Sequence, residues 1–338
     1  MPAIALPERP LGSTGLVVSR LGVGLAAVGR PGYITLGRGE DLPAARTVEA
    51  LWGRSVEVLD AARAAGVRYF DVARSYGRAE EFLGRWLRER GVRRDSATVG
   101  SKWGYRYTAE WRVDAAVHEQ KELSLERFEG QLAESRALLG SWLDLYQIHS
   151  ATAESGCFDD VRLLRALVDG RRRGDYRAVG VTLSGPSSEA TLALAVAARV
   201  DGERVFDVVQ ATFNCLEPSL ARGLAAAHAA GLGVIVKEAF ANGRLTDANH
   251  RPEDTALVAR LRAHGAALGL ALDQLAVAFV LAHPFVDVVL SGAATTAQLA
   301  SHTAAVSRPL DADATAALAP EAETPARYWQ TRSTLPWS

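Results

Sequence analysis

The chain has 338 residues, and 38 basic against 39 acidic side chains leave a formal charge of -1. That balance supplies no whole-protein attraction to nucleic acid or anionic lipid, so partners of those kinds are not expected. A hydrophobic share of 48% with 23% charged residues lies in the globular range and excludes a disordered or collagen-like chain.

The first ten residues, MPAIALPERP, lack a basic stretch followed by an apolar run. No apolar stretch approaches the ~20 residues that span a bilayer, so a cytoplasmic location without membrane attachment is expected. Residues 9–20 read as a β-hairpin turning at Gly12-Ser13-Thr14-Gly15, because glycine takes up positive φ without steric cost. Beyond it, short β-branched runs alternate with Ala/Leu-rich runs of helical period. Strands are predicted over 21–24, 68–72, 98–102, 143–149, 178–182, 206–211, 233–237 and 286–291. Helices are predicted over 55–65, 80–90, 125–139, 160–172, 189–198, 218–230, 272–282 and 296–303. Gly66 and Gly231 stand where a helix C-cap hands the chain to the next strand.

Eight βα units without a composition break favour one α/β domain over 1–338, a closed (β/α)8 TIM barrel rather than a doubly wound sheet. The hairpin is expected across the barrel bottom. Two segments stand outside the alternation. Residues 28–52 are long for a connection and are expected on the catalytic face. Residues 320–338, with Tyr328, Trp329 and Trp337, are expected to fold back as a lid.

In such a barrel the reactive groups stand at the C-terminal strand ends. The second strand ends at Asp71 and runs into Tyr76, the third ends at Lys102, and the fourth ends at His149. A lysine ammonium beside a phenol stabilises the phenolate and lowers its pKa, and Asp71 would keep that lysine charged. A tyrosine moved toward neutrality is a general acid for a carbonyl oxygen becoming an alkoxide, and His149 can donate a hydrogen bond to the same oxygen. Singly, each has an ordinary explanation: a helix cap, a surface charge, a packing ring, a core histidine. Their joint placement is what carries the chemistry. Cys157 and Cys215 form no C-x-x-C pair and read as ordinary thiols. With His149 as the one strand-end histidine, no metal site is expected.

These residues, in this order, resemble the tetrad of the aldo-keto reductase superfamily. The resemblance is carried by Arg9-Pro10-Leu11-Gly12, Gly66-Val67-Arg68-Tyr69-Phe70-Asp71-Val72-Ala73, Tyr76-Gly77, Lys102 and Asp144-Leu145-Tyr146-Gln147-Ile148-His149. It implies hydride transfer with NADP(H) or NAD(H), Tyr76 as proton donor, Asp71 and Lys102 tuning it, and His149 orienting the carbonyl. The family's cofactor contacts fall on Thr182, Gln210, Phe213, Phe240, Gly243, Leu245, Gly292, Ala293, Gln298 and His302, while Arg244 is either a further phosphate contact or a solvent-exposed loop arginine. Phe213 would stack on the nicotinamide.

The chain departs from the family pattern at Thr182-Leu183, where Ser-Asn is usual. The segment 291–296 also holds no Arg or Lys for a 2′-phosphate, which leaves both dinucleotides open. Substrate contacts are expected on Tyr33, Trp103, Tyr105 and Trp329, an aromatic rim suited to sugars or flat carbonyl compounds, with the tail covering the substrate. The implied function is an NAD(P)-dependent oxidoreductase interconverting an aldehyde, ketone or sugar carbonyl or hemiacetal with the alcohol or lactone. The alternative is a cofactor-sensing binding subunit, like the potassium-channel β-subunits that share the fold. Nothing in the sequence specifies an oligomeric state.

Overall fold

Eight short parallel strands, each buried along nearly its whole length, form a closed barrel: β1 (Leu21–Gly24), β2 (Tyr69–Asp71), β3 (Thr98–Trp103), β4 (Leu143–Ala151), β5 (Ala178–Leu183), β6 (Val208–Thr212), β7 (Gly233–Lys237) and β8 (Val288–Ser291). The computed structural model describes residues 6–338, so residues 1–5 of the expected domain lie outside the described residues. Strands adjacent in sequence are adjacent in the barrel, and β8 returns to β1 with Val289 opposite Leu21. All eight predicted strands are present. Their edges move where buried apolar residues look like strand but precede the ladder, as Phe206 and Val286 do.

The hairpin of Glu8–Pro10 and Val17–Ser19 closes the barrel bottom. Its Leu11, Leu16 and Val18 pack against Tyr69, Leu145, Val208, Ile235 and Val288, inward residues of five strands that form a layer of the barrel interior. Each strand is followed by at least one helix. The long helix after β1, Val48–Ala64, begins seven residues before the predicted start because Thr47 caps it, accepting from the Ala50 amide at 3.1 Å. Helix Thr255–Ala267 and the hairpin of Tyr105–Tyr107 with Glu119–Lys121 were not predicted. The helix buries only Val258, Leu261 and Gly265, too narrow a stripe to stand out in the sequence. No single helix among the described residues is long and apolar enough to cross a membrane.

Residues 28–47 and the tail cover the barrel mouth, whereas residues 48–52 of the expected irregular segment begin the helix Val48–Ala64. Buried Arg38 ties the two covering segments together by donating to the carbonyls of Ala27, Arg30, Pro31 and Ser338. The tail carries helix Pro325–Ser333 and ends with Ser338 and Tyr33 exchanging backbone hydrogen bonds at 3.0 and 3.1 Å. Arg244 takes neither the phosphate contact nor the exposed place the sequence left open: it is buried, and its guanidinium holds Asp254 at 2.9 Å and Glu323 at 2.8–3.0 Å, pinning the start of the tail.

Candidate active site

A cavity of about 610 Å³ opens at the C-terminal strand ends, lined by Gly24, Asp71, His149, Gln210, Lys237 and Ser291 from six of the strands. Lys102 lies fully buried on β3, where its ammonium bonds Asp71 directly and donates to the Val72 carbonyl at 3.1 Å. The other oxygen of Asp71 accepts from Tyr69 Oη at 3.1 Å and Gln210 Nε2 at 3.0 Å. Tyr69 reaches that position because residue 100 is glycine: a Cβ there would stand 2.2 Å from Tyr69 Oη.

Tyr76 sits on the turn after β2, with its Oη 3.4 Å from His149 Nε2 and its ring 4.9 Å from the Lys102 ammonium. Gly77 closes that turn at φ +59°, with the Gly29 carbonyl 2.6 Å from where a Cβ would be, so only glycine fits. Burial, with the charges of Lys102 and Lys237, holds His149 well below its usual pKa, which makes it a neutral imidazole. Burial and then Asp71 hold Tyr76 well above the usual phenol value, while Arg30 opposes them. The expected lowering of Tyr76 by Lys102 is overturned. Lys102 is compensated by Asp71 in direct contact, so the phenol faces an ion pair rather than a bare cation, and desolvation wins. Tyr76 is therefore protonated at neutral pH.

At the far end of the cavity the Phe240 ring stacks on His302 at 4.2 Å. His302 Nδ1 lies 2.8 Å from Ser291 Oγ and its Nε2 3.5 Å from Asp273. Burial pulls this imidazole down to about 4, with Asp273 opposing. Gln298 caps its own helix by accepting from the Ala294 and Thr295 amides, and donates to Asp41 at 2.8 Å.

The Aldo/keto reductase family model matches residues 49–320, most of the chain. The chain belongs to that family. It is 33% identical to the aldo-keto reductase str7 of Strobilurus tenacellus over 36% of this chain and 33% of that protein. It is 27% identical to the aldo-keto reductase ausK of Emericella nidulans over 56% of this chain and 47% of that protein. The matches thus span a third to a half of those relatives. A longer match, 27% identical over 88% of this chain and 90% of the relative, is with an Oryza sativa protein named "Probable voltage-gated potassium channel subunit beta". Among solved structures, the holo form of aldo-keto reductase AKR11C1 from Bacillus halodurans shares the fold, with a TM-score of 0.72 and 21% identity over 94% of this chain and 97% of that one.

In this member of the aldo/keto reductase family the cavity gathers most of the residues expected from sequence. Asp71, Tyr76, His149, Gln210, Phe240, Gly243, Gly292, Gln298, His302 and Tyr33 line it, with Lys102 directly behind Asp71. Others do not reach it. Phe213 is fully buried between Phe279, His283 and Phe285, with ring centroids 4.8–5.8 Å away, and presents no face to a ligand. Trp103 is fully buried against Phe128. Thr182 is buried with its hydroxyl accepting from the Ser150 amide at 2.6 Å. Leu245 and Ala293 are buried outside the lining, and Trp329 packs behind Lys237 and Arg332. Tyr105 stands edge-on to His149, 5.0 Å between rings, also outside the lining. Not anticipated as site residues are Arg30, Glu119, Lys237, Glu238, Arg332 and Trp337 at the catalytic end and Asp41 and Asp273 at the far end. Trp337 had an aromatic signal and Lys237 a strand-end position; the other charged residues had none.

Proposed function

We propose that the protein is an NAD(P)-dependent oxidoreductase that interconverts a carbonyl or hemiacetal with the alcohol or lactone, with Tyr76 as general acid and base. The observation that carries this reading is the convergence of Tyr76, His149 and the Asp71–Lys102 pair at one end of a single cavity. The cavity volume, about 610 Å³, suits a large ligand. Gln210 could hold a nicotinamide amide, and Phe240, Gly292 and Gln298 could hold the adenosine half. The bound dinucleotide supplies or accepts the hydride.

This chain's residues handle the oxygen. Neutral His149 donates a hydrogen bond to the substrate carbonyl, polarising it without adding charge. Tyr76 Oη gives its proton as the oxygen becomes an alkoxide, and the resulting phenolate is reprotonated from water. In the oxidising direction the same phenolate removes the hydroxyl proton.

The far end favours NAD(H). Asp41 and Asp273 line it, and Arg38, the arginine there, spends its donors on backbone carbonyls, so a 2′-phosphate would meet like charge. Near Tyr76, the pairs Arg30–Glu119 and Arg332–Glu238 beside Tyr33 and Trp337 offer planar polar groups next to aromatic faces. That mixture favours a hydroxyl-rich substrate over an apolar ketone.

Purified protein incubated with NADH or NADPH and a panel of aldoses, small aldehydes and aromatic ketones tests the reading through nicotinamide absorbance. Turnover with at least one pair is expected. Tight dinucleotide binding without turnover would favour a cofactor-sensing subunit, a reading supported by the name of the Oryza relative. Absence of binding would sink both.

A further inference from the structure

We infer that Arg30 is a positioning residue for Tyr76, and that together with Glu119 it sets the pH at which the phenol exchanges its proton. This rests on the reading of Tyr76 as the acid and base. Arg30 is 1% exposed, and its Nη1 donates to the carbonyl of Ser75, the residue before Tyr76, at 2.9 Å. Its guanidinium carbon lies 4.8 Å from the Tyr33 ring centre, 5.0 Å from that of Trp337 and 5.6 Å from that of Tyr76. The rings of Tyr33 and Trp337 thus wall the cation against the reacting phenol, an arrangement that strengthens its field there.

The charges around the phenol are arranged asymmetrically. From the barrel come Lys102 and Asp71, in direct contact with each other, and neutral His149. From β7 and the tail come Lys237, Glu238 and Arg332, with Glu238 paired to Arg332 at 2.6 Å and 3.8 Å from Lys237. Arg30 has its carboxylate, Glu119, at 2.9 Å on the water side, with 25% of the Glu119 side chain exposed. Solvent therefore screens the carboxylate more than the arginine, and what this pair leaves at the ring is a positive field that works against Asp71. Arg30 Nε is buried without a partner, so hydrogen bonding alone does not account for the residue's placement. In accord with this geometry, Arg30 is the largest influence pulling the Tyr76 phenol downward.

The two members of the pair make opposite predictions, which separates this role from a structural one. In the oxidising direction, where the phenolate is required, kcat/KM should rise with pH along a limb set by Tyr76. Arg30→Met should move that limb upward by about one pH unit, and Arg30→Lys should restore most of it. Glu119→Gln, a part-exposed change that need not disturb folding, should move it downward by a few tenths of a unit to about one unit. The alkaline onset of the tyrosinate absorbance that Tyr76→Phe removes should shift in the same order, and this readout needs no turnover. Shifts of the same sign for Arg30→Met and Glu119→Gln, or no shift in either, would overturn the inference. A wild-type protein without turnover fails the functional reading instead, while the absorbance order still decides the role of Arg30.

Discussion

Lys102 and Asp71 are each almost wholly removed from water, so the pair can be tested as a single energetic unit. Lys102→Met would leave the Asp71 carboxylate with two donors, Tyr69 Oη and Gln210 Nε2. Removing one partner of a buried pair costs about 3–5 kcal/mol, and the surviving donors place this substitution near 3. Asp71→Asn leaves the ammonium with the Val72 carbonyl and a neutral amide, a poorer arrangement that should cost about 4 kcal/mol. The double variant carries no buried charge, so its destabilisation should fall short of the sum by roughly 3 kcal/mol. Urea unfolding of the four proteins, followed by tryptophan fluorescence from buried Trp86 and Trp103, measures the cycle. Additivity within about 0.5 kcal/mol would refute the claim that Asp71 and Lys102 stabilise each other.

Gly100→Ala should push Tyr69 off Asp71 and cost both stability, by about 1–3 kcal/mol, and activity, even though residue 100 touches no ligand; Tyr69→Phe in the same background should recover stability but not activity. His302 titrates at about 4 in the folded protein and near 6.5 unfolded, so the unfolded chain gains the proton first as pH falls. Stability should therefore be level above pH ~7 and drop by roughly 3 kcal/mol toward pH ~4 on account of this group, with His149 adding a loss of the same sign; the melting temperature of His302→Gln should depend less steeply on pH. Calorimetric titration should give NAD+ a dissociation constant at least about tenfold below that of NADP+, and Asp41→Asn with Asp273→Asn should narrow the ratio; tighter NADP+ binding by the unaltered protein would contradict the assignment.

How much of this was legible in the sequence depended on what fixes each side chain. Asp71, Lys102 and His149 end strands of a repeating architecture, so their place at one rim follows from the pattern alone. Tyr76 follows because a short turn ties it to β2. Phe213 and Trp103 occupy comparable positions but point into the packing around the barrel, and a position along the chain does not specify that direction. Arg30, Glu119 and Trp337 lie on three segments brought together only by the folded loops and tail, a contact that no local period encodes. The phenol's acidity is not legible in the sequence for a related reason. Lysine beside tyrosine suggests a lowered pKa, but the balance turns on burial and on how tightly Asp71 compensates that lysine.

The role proposed for Tyr76 is proton exchange in a nicotinamide-dependent reaction. Its most direct test is steady-state turnover of Tyr76→Phe alongside its dinucleotide dissociation constant. With Tyr76 in that role, kcat should fall by about 10²–10⁴-fold while the dissociation constant stays within a factor of about two. Turnover that survives the substitution, or a loss that tracks weaker dinucleotide binding alone, would contradict it.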